Sequence, residues 1–401
     1  MALLPVADAL ARLLAGAQPL PPEPVELLAA SGRVLAEPVQ AKLTAPPFDA
    51  SAMDGYAVRG TDVATLPARL RVIGVSAAGR GFRGTLAAGE AVRICTGAPI
   101  PAGADAIVIQ ENCAREADTV IIREGTPERA HVRRRGGDFA SGAELLIPGT
   151  RLGARQITLA AAMGHAFLPV HRKPRVAILA SGDELVLPGV TPGVDQIVCS
   201  NPYGVAALVA AAGGDPQFLG IAADTRDALN AHIDRALNAD LLITIGGASV
   251  GDHDLIAPVL EARGLSLDFW KIAMRPGKPM LYGRLGEMRV VGLPGNPVSA
   301  LICARVFLVP LIERLSGRTG TAARMTDAIA ATDIEANGPR THYMRATLQA
   351  GDGGPLRARP VRSQDSSLLS PLAAADCLIV RDVGAAEVKA GEAVSVLRLD
   401  F

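Results

Sequence analysis

The sequence has no excess charge of either sign and few cysteines. Its 401 residues carry 40 basic and 40 acidic side chains, a formal net charge of zero. We expect neither nucleic acid nor an anionic membrane surface as a partner, because both select strongly basic proteins. The five cysteines are scattered, odd in number and without paired metal-ligand spacing, which argues against a disulfide framework. A reducing cytoplasm is the compartment that fits.

No stretch has the pattern of a signal peptide or a membrane span. The N-terminal MALLPVADALARLLAG lacks a basic n-region and carries Asp8 and Arg12 inside its apolar part. Low-complexity tracts and internal repeats are absent from the sequence. We also expect no nucleophile triad, since Ser249 and Ser299 lack a nearby histidine with an orienting acid. His253 is better explained as a helix-capping or solvent-facing residue.

Lysine is scarce beside arginine, and two of the five lysines, Lys271 and Lys278, lie in the segment WKIAMRPGKP (270–279). Where arginine is the usual cation, a lysine among Pro276, Gly277 and Pro279 favours a site that needs a compact ammonium group. Chance clustering is the alternative explanation.

Changes in pattern divide the chain into regions, and its length suggests roughly three domains at about 150 residues each. Helical spacing over 6–15, 25–35 and 156–163 flanks a stretch of short β-type runs separated by glycine and proline. From 176 onward strands and helices alternate, which predicts a largely parallel, doubly wound α/β sheet. We therefore expect a multidomain α/β plus β fold with a discontinuous helical domain (1–42 and 139–170), an inserted small β domain (43–138), an α/β domain (171–320) and a C-terminal β-barrel domain (325–401).

The stretch LLITIGGASVGDHD (241–254) is the strongest local signal. An apolar run of strand length breaks into a glycine pair and ends in two acids before a helical pattern. Glycines at the end of a strand let backbone N–H groups approach an anion, and carboxylates beside a phosphate need a hard cation such as Mg²⁺. For one such loop alone, an ordinary turn with an acidic helix cap is the plain alternative.

Comparable loops follow the other predicted strands. Ligands of doubly wound sheets bind outside the carboxyl ends of the strands. The loops at 181–184, 224, 246–254, 275–278 and 295–299 combine glycines, carboxylates and cations. Each one alone is explained by a turn, a surface charge or the start of a helix. Together they predict a site for a phosphorylated or nucleotide ligand with a divalent metal ion.

The motifs resemble those of the molybdopterin molybdenumtransferases, the bacterial MoeA type and the related C-terminal domain of gephyrin. The resemblance spans nearly every domain and rests on PPFDASAMDGYAVRGTD (46–62), RICTGAPIPAGADAIVIQE (93–111), RRRGGDFASG (133–142), LASGDELVLPG (179–189), IGGASVGDHD (245–254), MRPGKP (274–279) and GLPGNPVSA (292–300). It implies an elongated homodimer of four-domain subunits with a molybdopterin-binding α/β domain. Such an enzyme takes adenylated molybdopterin, hydrolyses the adenylate with the help of Mg²⁺, inserts molybdate at the dithiolene and releases AMP and the molybdenum cofactor.

The resemblance also implies roles for individual residues. The catalytic set would be Asp54, Thr96, Asp138, Glu184, Asp224 and Asp254, of which the first three would reach the cleft of the other subunit. The metal ligands would be Glu184, Asp224 and Asp254. The pterin and adenylate would be bound by Ser181, Gly182, Gly246, Gly247, Ser249, Gly251, Gly295 and Asn296. The molybdate pocket would consist of Arg275, Lys278, Ser299, Arg345 and Ser366.

Two positions depart from the family pattern, since Arg275 stands where lysine is frequent and Ile245 where serine or threonine is frequent. Arginine keeps the charge but is bulkier and forked, so it changes the selectivity for oxyanions. The resemblance further implies transient contacts with molybdopterin adenylyltransferase and with molybdoenzyme chaperones. The alternative functions are a molybdopterin adenylyltransferase, whose α/β domain is similar, and a non-catalytic scaffold like gephyrin.

Overall fold

The computed structural model describes residues 3–124, 131–246, 255–318, 325–350 and 354–399. Its elements form a discontinuous N-terminal part, an inserted β sheet, an α/β domain and a closed C-terminal barrel. Within these ranges, no helix combines the length and the apolar character that crossing a membrane requires.

The first part of the chain contains one helix and short strands with distant partners. Its elements are α1 (Val6–Leu14), β1 (Pro22–Glu26), a 3-10 turn (Leu27–Ala29), β2 (Val39–Gln40) and β3 (Ala50–Ser51). The helical prediction for 25–35 is wrong, because β1 pairs with residues 167–171 and this long-range pairing decides its conformation. The prediction of α1 is confirmed, and α1 buries Ala9 and Leu13 in the core of the α/β domain rather than with the other N-terminal segments.

Residues 55–122 form one six-stranded sheet. Its strands are β4 (Gly55–Val58), β5 (Ala68–Ser76), β6 (Glu90–Ile94), β7 (Ala106–Ile109), β8 (Cys113–Glu116) and β9 (Thr119–Ile122), with 3-10 turns at Gly60–Val63 and Gln110–Asn112. They lie in the order β7-β4-β6-β5-β9-β8, and all pairs except β5 with β6 are antiparallel. One face buries Tyr56 and Val108, and the other buries Ile94 and Ile107.

The chain then returns to the N-terminal part. The elements there are β10 (Val132–Arg133), β11 (Glu144–Leu146), α2 (Ala154–Ala162) and β12 (Phe167–His171). β10 pairs with β3, β11 with β2 and β12 with β1, so the segments before and after the β sheet are joined. Their shared core includes Leu35, Leu152 and Met163. The β domain is therefore inserted into a discontinuous one, as the sequence predicts.

The α/β domain is built on a six-stranded sheet in the order β16-β13-β17-β21-β20-β18. Its elements are β13 (Arg175–Ser181), β14 (Leu185–Val186), β15 (Ile197–Val198), α3 (Asn201–Ala211), β16 (Asp215–Ala222), α4 (Arg226–Arg235), β17 (Leu241–Ile245), α5 (Ile256–Ala262), β18 (Ser266–Trp270), β19 (Met274–Arg275), β20 (Leu281–Leu285), β21 (Met288–Leu293), α6 (Pro297–Cys303), a π turn (Ala304–Leu308) and α7 (Val309–Leu315). The first four strands of the sheet are parallel, and β20 and β18 are antiparallel. Apolar clusters cover both faces, which explains why β13 and β17 are continuous apolar runs and confirms the doubly wound fold.

The C-terminal part is a closed barrel. Its elements are β22 (Met325–Ala330), β23 (Thr341–Gln349), β24 (Arg357–Pro360), α8 (Leu369–Ala373), β25 (Cys377–Arg381) and β26 (Ala393–Arg398). The order β23-β24-β22-β26-β25 closes because β25 pairs with β23. β19 of the α/β domain adds to β23 in parallel. Along β23, Met344 and Ala346 face the barrel interior, whereas Tyr343 packs against the α/β core, so this strand connects the two domains.

Candidate active site

A pocket of about 830 Å³ opens at the carboxyl ends of β13, β16, β17 and β21. Ligands of doubly wound sheets bind at this edge. Ser367 and Leu369 of the barrel domain complete the wall. The predicted residues that line the pocket are Ser181, Gly182, Glu184, Asp224, Gly246, Gly295, Asn296 and Ser299.

Two glycines shape the turns beside the pocket. Gly182 has a φ of +148°, and a Cβ there would lie 2.5 Å from Glu184 Oε2. Gly246 has a φ of +91°, and a Cβ there would lie 2.8 Å from the carbonyl oxygen of Ser181. Residues with a side chain rarely adopt these backbone angles. The turns after β13 and β17 therefore require glycine, and they leave the main chain accessible to a ligand.

Carboxylates gather where β13 and β16 end. The backbone N–H of Asp224 donates a hydrogen bond of 3.0 Å to the carboxylate of Asp183. Burial, followed by the negative charge of Asp183 and then that of Glu184, raises the pKa of Asp224. Neighbouring negative charges that raise the pKa of Asp224 are not neutralised there by a cation. This end of the pocket is therefore suited to a positively charged group.

The donor set at this end fits Mg²⁺ bound through few protein ligands. In the described ranges no three His, Cys, Asp or Glu side chains are grouped closely enough to form a complete metal cage. Glu184 and Asp224 nevertheless line the same pocket. One or two carboxylates, completed by water and substrate phosphate, are the usual protein contribution to a Mg²⁺ site.

Hydroxyl and amide groups lie at the first turn of α6. Ser299 is only 5% exposed and lines the pocket. The side-chain amide of Asn296 donates to Ser366 Oγ at 3.0 Å. The backbone N–H of Val298 donates to the carbonyl oxygen of Ser366 at 3.1 Å. The barrel loop that carries Ser366 is thus docked onto α6 beside the pocket.

Arg345 holds this loop in place. Its side chain is 1% exposed. The guanidinium group donates to three main-chain carbonyl oxygens of the loop, those of Ser363 at 3.0 Å, Asp365 at 2.8 Å and Leu368 at 2.9 Å. Arg345 is not among the residues that line the pocket. The structure therefore shows Arg345 holding the loop that carries Ser366, and its role as a direct molybdate ligand stays a prediction.

The cations of the MRPGKP segment lie apart from Arg345. Arg275 and Lys278 are both exposed, and neither lines the pocket, although Pro279 does. Arg275 is the register partner of His342 on β23. Because side chains alternate along a strand, His342 and Arg345 project from opposite faces of β23. Arg275 and Arg345 are therefore on opposite faces of this part of the sheet, and their grouping in one oxyanion pocket stays a prediction.

Predicted residues of the β domain form a second, exposed group. Asp54 accepts hydrogen bonds from the backbone N–H of Thr96 at 2.6 Å and from its hydroxyl at 2.8 Å. These bonds lower the pKa of Asp54. The loop that carries Asp138 joins the same region, since Asp49 accepts the N–H of Arg135 at 2.7 Å. Within one subunit, none of Asp54, Thr96 and Asp138 lines the pocket.

Four predicted residues, Gly247, Ser249, Gly251 and Asp254, fall in 247–254, outside the described residues. Their roles stay predictions.

Three residues near the pocket are absent from the predicted site. Asp183 contacts Asp224 as described, and its position between two predicted residues was the available signal. Ser200 and Asn201 line the pocket at the start of α3. The Asn201 side-chain amide donates to the carbonyl oxygen of Gly295 at 2.6 Å. The sequence marks Asn201 only as a helix cap, because its contact lies 94 positions further along the chain.

Known family models match most of the chain. The MoeA N-terminal region (domain I and II) matches residues 4–164, a probable molybdopterin binding domain matches 177–314, and the MoeA C-terminal region (domain IV) matches 327–399.

Curated relatives and solved structures agree with these matches. A molybdopterin molybdenumtransferase of Nostoc sp. is 37% identical over 386 residues, covering 94% of this chain and 88% of the relative. The molybdopterin molybdenumtransferase of Haemophilus influenzae is 35% identical and covers 94% of both chains. The crystal structure of a molybdopterin biosynthesis MoeA protein from Pyrococcus horikosii superposes with a TM-score of 0.86 at 31% identity and covers 100% of both chains. With the α/β pocket, the inserted β domain and the C-terminal barrel, these matches show that the chain belongs to the MoeA family of molybdopterin molybdenumtransferases, transferases of molybdenum cofactor biosynthesis.

Proposed function

We propose that this transferase inserts molybdate into adenylated molybdopterin in an Mg²⁺-dependent reaction that releases AMP and the molybdenum cofactor. The observation that carries the proposal is a single pocket that combines two glycine turns, two carboxylates and the hydroxyl group of Ser299. Its volume of about 830 Å³ suits a nucleotide-sized ligand. Anionic phosphates fit against the glycine turns, where main-chain N–H groups donate hydrogen bonds.

Glu184 and Asp224 are the described residues that would hold Mg²⁺, with Asp254 as the third predicted ligand. When bound, the ion neutralises phosphate charge and makes phosphorus more susceptible to attack by water. The raised pKa of Asp224 supports this role, since the carboxylates lack a positive partner. The turn at Gly182 keeps room for the Glu184 side chain, whose Oε2 would meet any Cβ at that position. The protein thus holds the phosphates and the carboxylates next to each other.

For molybdate we propose the hydroxyl groups of Ser299 and Ser366 together with the ammonium group of Lys278. Hydroxyl donors and a positive charge are what a tetrahedral dianion requires. Ser366 is held beside Ser299 by its hydrogen bonds to Asn296 and Val298.

We further propose a homodimer in which Asp54, Thr96 and Asp138 complete the pocket of the other subunit. The support is that these polar side chains are exposed, that Asp54 and Thr96 hold a defined geometry, and that the three lie outside the pocket of their own chain. If both assignments are correct, co-expressed Asp54→Asn and Asp224→Asn subunits form heterodimers with one intact site. About a quarter of wild-type activity should return, because half of the dimers are mixed and each has one intact site of two. Mixed dimers without activity would contradict a shared site.

The direct test of the reaction is incubation of purified protein with adenylated molybdopterin, Mg²⁺ and molybdate, with AMP and cofactor measured separately. AMP release that requires Mg²⁺, and cofactor formation that requires molybdate, are the expected results. Formation of adenylated molybdopterin from ATP would support an adenylyltransferase instead, and inactivity of correctly folded protein would favour a scaffold. We place the reaction in the cytoplasm, in keeping with five free cysteines, and expect transient contacts with molybdopterin adenylyltransferase and molybdoenzyme chaperones.

A further inference from the structure

Three basic side chains form a row across β19, β23 and β25, on the side of β23 opposite to Arg345. Arg275 is the register partner of His342, and His342 is the register partner of Arg381. Register partners on neighbouring strands project from the same face of a sheet. The next pair on this face, Met344 with Ile379, belongs to the barrel interior. The row therefore lies at one end of the barrel interior, with its exposed member, Arg275, towards solvent.

Two side chains of the row are buried and incompletely paired. His342 and Arg381 are each 8% exposed. His342 Nε2 and Arg381 Nε are buried and have no hydrogen-bond partner. One terminal guanidinium nitrogen of Arg381, Nη2, donates to the carbonyl oxygen of Ala386. A buried polar atom without a partner is rare in folded proteins and is energetically costly, so these two atoms require an explanation.

In the described part of the chain, no carboxylate forms an ion pair with the arginines of the row. Among the residues that the structure describes, no ion pair involves Arg275 or Arg381. A water molecule could hydrogen-bond to the two orphan atoms, but it could not compensate the positive charge.

The rim of this barrel end is fixed by hydrogen bonds. The Asn337 side-chain amide donates to the carbonyl oxygens of Arg340 at 2.8 Å, Arg381 at 3.0 Å and Asp382 at 2.7 Å. These bonds tie the loop before β23 to the end of β25. The main chain that carries the row is therefore fixed by hydrogen bonds, so less conformational entropy is lost when a ligand binds.

We propose that Arg275, His342 and Arg381 form a binding site for a tetrahedral oxyanion dianion of the sulfate and phosphate class. Guanidinium groups present several donors in a plane and match the oxygens of such anions. The site shares Arg275 with the expected molybdate pocket. Its other two residues, His342 and Arg381, lie outside the motifs that carry the family resemblance. It is independent of the proposed pterin chemistry.

The site has a distinctive pH dependence. Burial, and next the positive charges of Arg275, Arg340 and Arg345, lower the pKa of His342 to about 4. A dianion beside the ring would raise this pKa, because it stabilises the imidazolium form. Anion binding should then take up a proton, and affinity should increase as the pH falls from 8 towards 5.

The test is sulfate binding to the full-length protein without pterin or molybdate, measured by calorimetry at constant ionic strength with chloride as balancing anion. Sulfate is the probe because it stays a dianion between pH 5 and 8. Arg275→Gln should weaken binding by about 10- to 100-fold, the loss of one charge-assisted hydrogen bond. Arg359→Gln is the matched control, since Arg359 is an exposed arginine on β24 of the same barrel.

A second readout reports on the buried part of the site. The chain has only six histidines. Their ring resonances can be followed by ¹³C-labelling, and His342→Gln assigns the relevant one. Saturating sulfate should raise the pKa of this histidine and of no other, and phosphate and molybdate should compete with sulfate. The proposal would be overturned if sulfate and chloride had the same effect, or if Arg359→Gln weakened sulfate binding as much as Arg275→Gln. It would also be overturned if sulfate left the His342 resonance unchanged. Arg275→Gln removes only an exposed side chain, so the test does not depend on a variant that fails to fold.

Discussion

Replacing Arg345 by methionine tests whether this residue positions the barrel loop or binds molybdate. Methionine fills much of the same space but donates no hydrogen bond. Three main-chain carbonyl oxygens of the loop would lose their donor. A hydrogen bond from a charged group contributes about 1.5–3 kcal/mol, and bonds within one network do not add fully. We therefore expect the free energy of unfolding of the barrel to fall by about 3–5 kcal/mol, less than the sum of three separate bonds.

The loop should lose stability before the rest of the barrel does. Thermal unfolding should begin at a lower temperature, and amide hydrogen exchange over 363–368 should accelerate more than in β26, whose main chain is paired with β22 and β25. Ser366 would no longer be held against Asn296, so cofactor formation should fall as well. The positioning role also predicts that Arg345→Lys fails, because an ammonium group cannot reproduce a fork that reaches three carbonyl oxygens. Arg359→Met on the exposed face of β24 is the control for the loss of an arginine.

The opposite pattern would refute this reasoning. If Arg345 binds molybdate directly, the methionine variant unfolds like the wild type and its loop exchanges normally. Only the molybdate concentration at half-saturation rises in that case. The lysine variant would then retain much of the affinity, because it keeps the charge.

Three further substitutions test other parts of the pocket. Asp224→Asn should slow Mg²⁺-dependent AMP release by at least about tenfold. The same variant should raise the free energy of unfolding at pH 7 by a few tenths of a kcal/mol. The reason is that the pKa of Asp224 is raised, so the ionised carboxylate is unfavourable in the partly exposed folded site. This gain should vanish in urea unfolding well below pH 3.8, the ordinary pKa of an aspartate, where the wild-type carboxyl is protonated in both states; an unchanged AMP rate would remove Asp224 from the metal site. Lys278→Ala should raise the half-saturating molybdate concentration by about 10- to 100-fold while adenylate binding, measured in parallel, stays nearly constant; equal loss of both ligands would remove Lys278 from the molybdate set. Gly246→Ala places a Cβ within 2.8 Å of the Ser181 carbonyl oxygen at a φ of +91°. We therefore expect the free energy of unfolding, measured with urea, to fall by about 1–3 kcal/mol and adenylate binding to weaken. An alanine variant with wild-type stability and affinity would show that the turn adapts.

The position of the pocket follows from the sequence because it depends on local signals and one general rule. Apolar runs that end in glycines predict β13 and β17 and their turns, and parallel strands bring their carboxyl ends to one edge. Residues directly after those strands, such as Gly182, Asp224 and Gly246, therefore reach the same pocket whatever the details of packing. The alternation of strands and helices in the sequence was likewise sufficient to predict the doubly wound sheet.

Local patterns failed where a distant partner decides the outcome. The stretch 25–35 has helical spacing, but β1 pairs with β12 more than 140 positions away, and pairing overrides propensity. Such contacts leave no trace in the spacing of either segment.

The roles of the arginines were decided in the same way. Arg275 and Arg345 both occur in short motifs beside a predicted oxyanion site, and the sequence groups them. Only the register of β19 on β23 shows that Arg275 shares a face with His342 and Arg381, while Arg345 faces the loop that carries Ser366. A shift of one residue in that register would reverse the assignment, because alternate side chains point to opposite faces. The sequence by itself thus determined which chemical groups reach the pocket edge, and tertiary pairing decided on which face of β23 each of these cations lies.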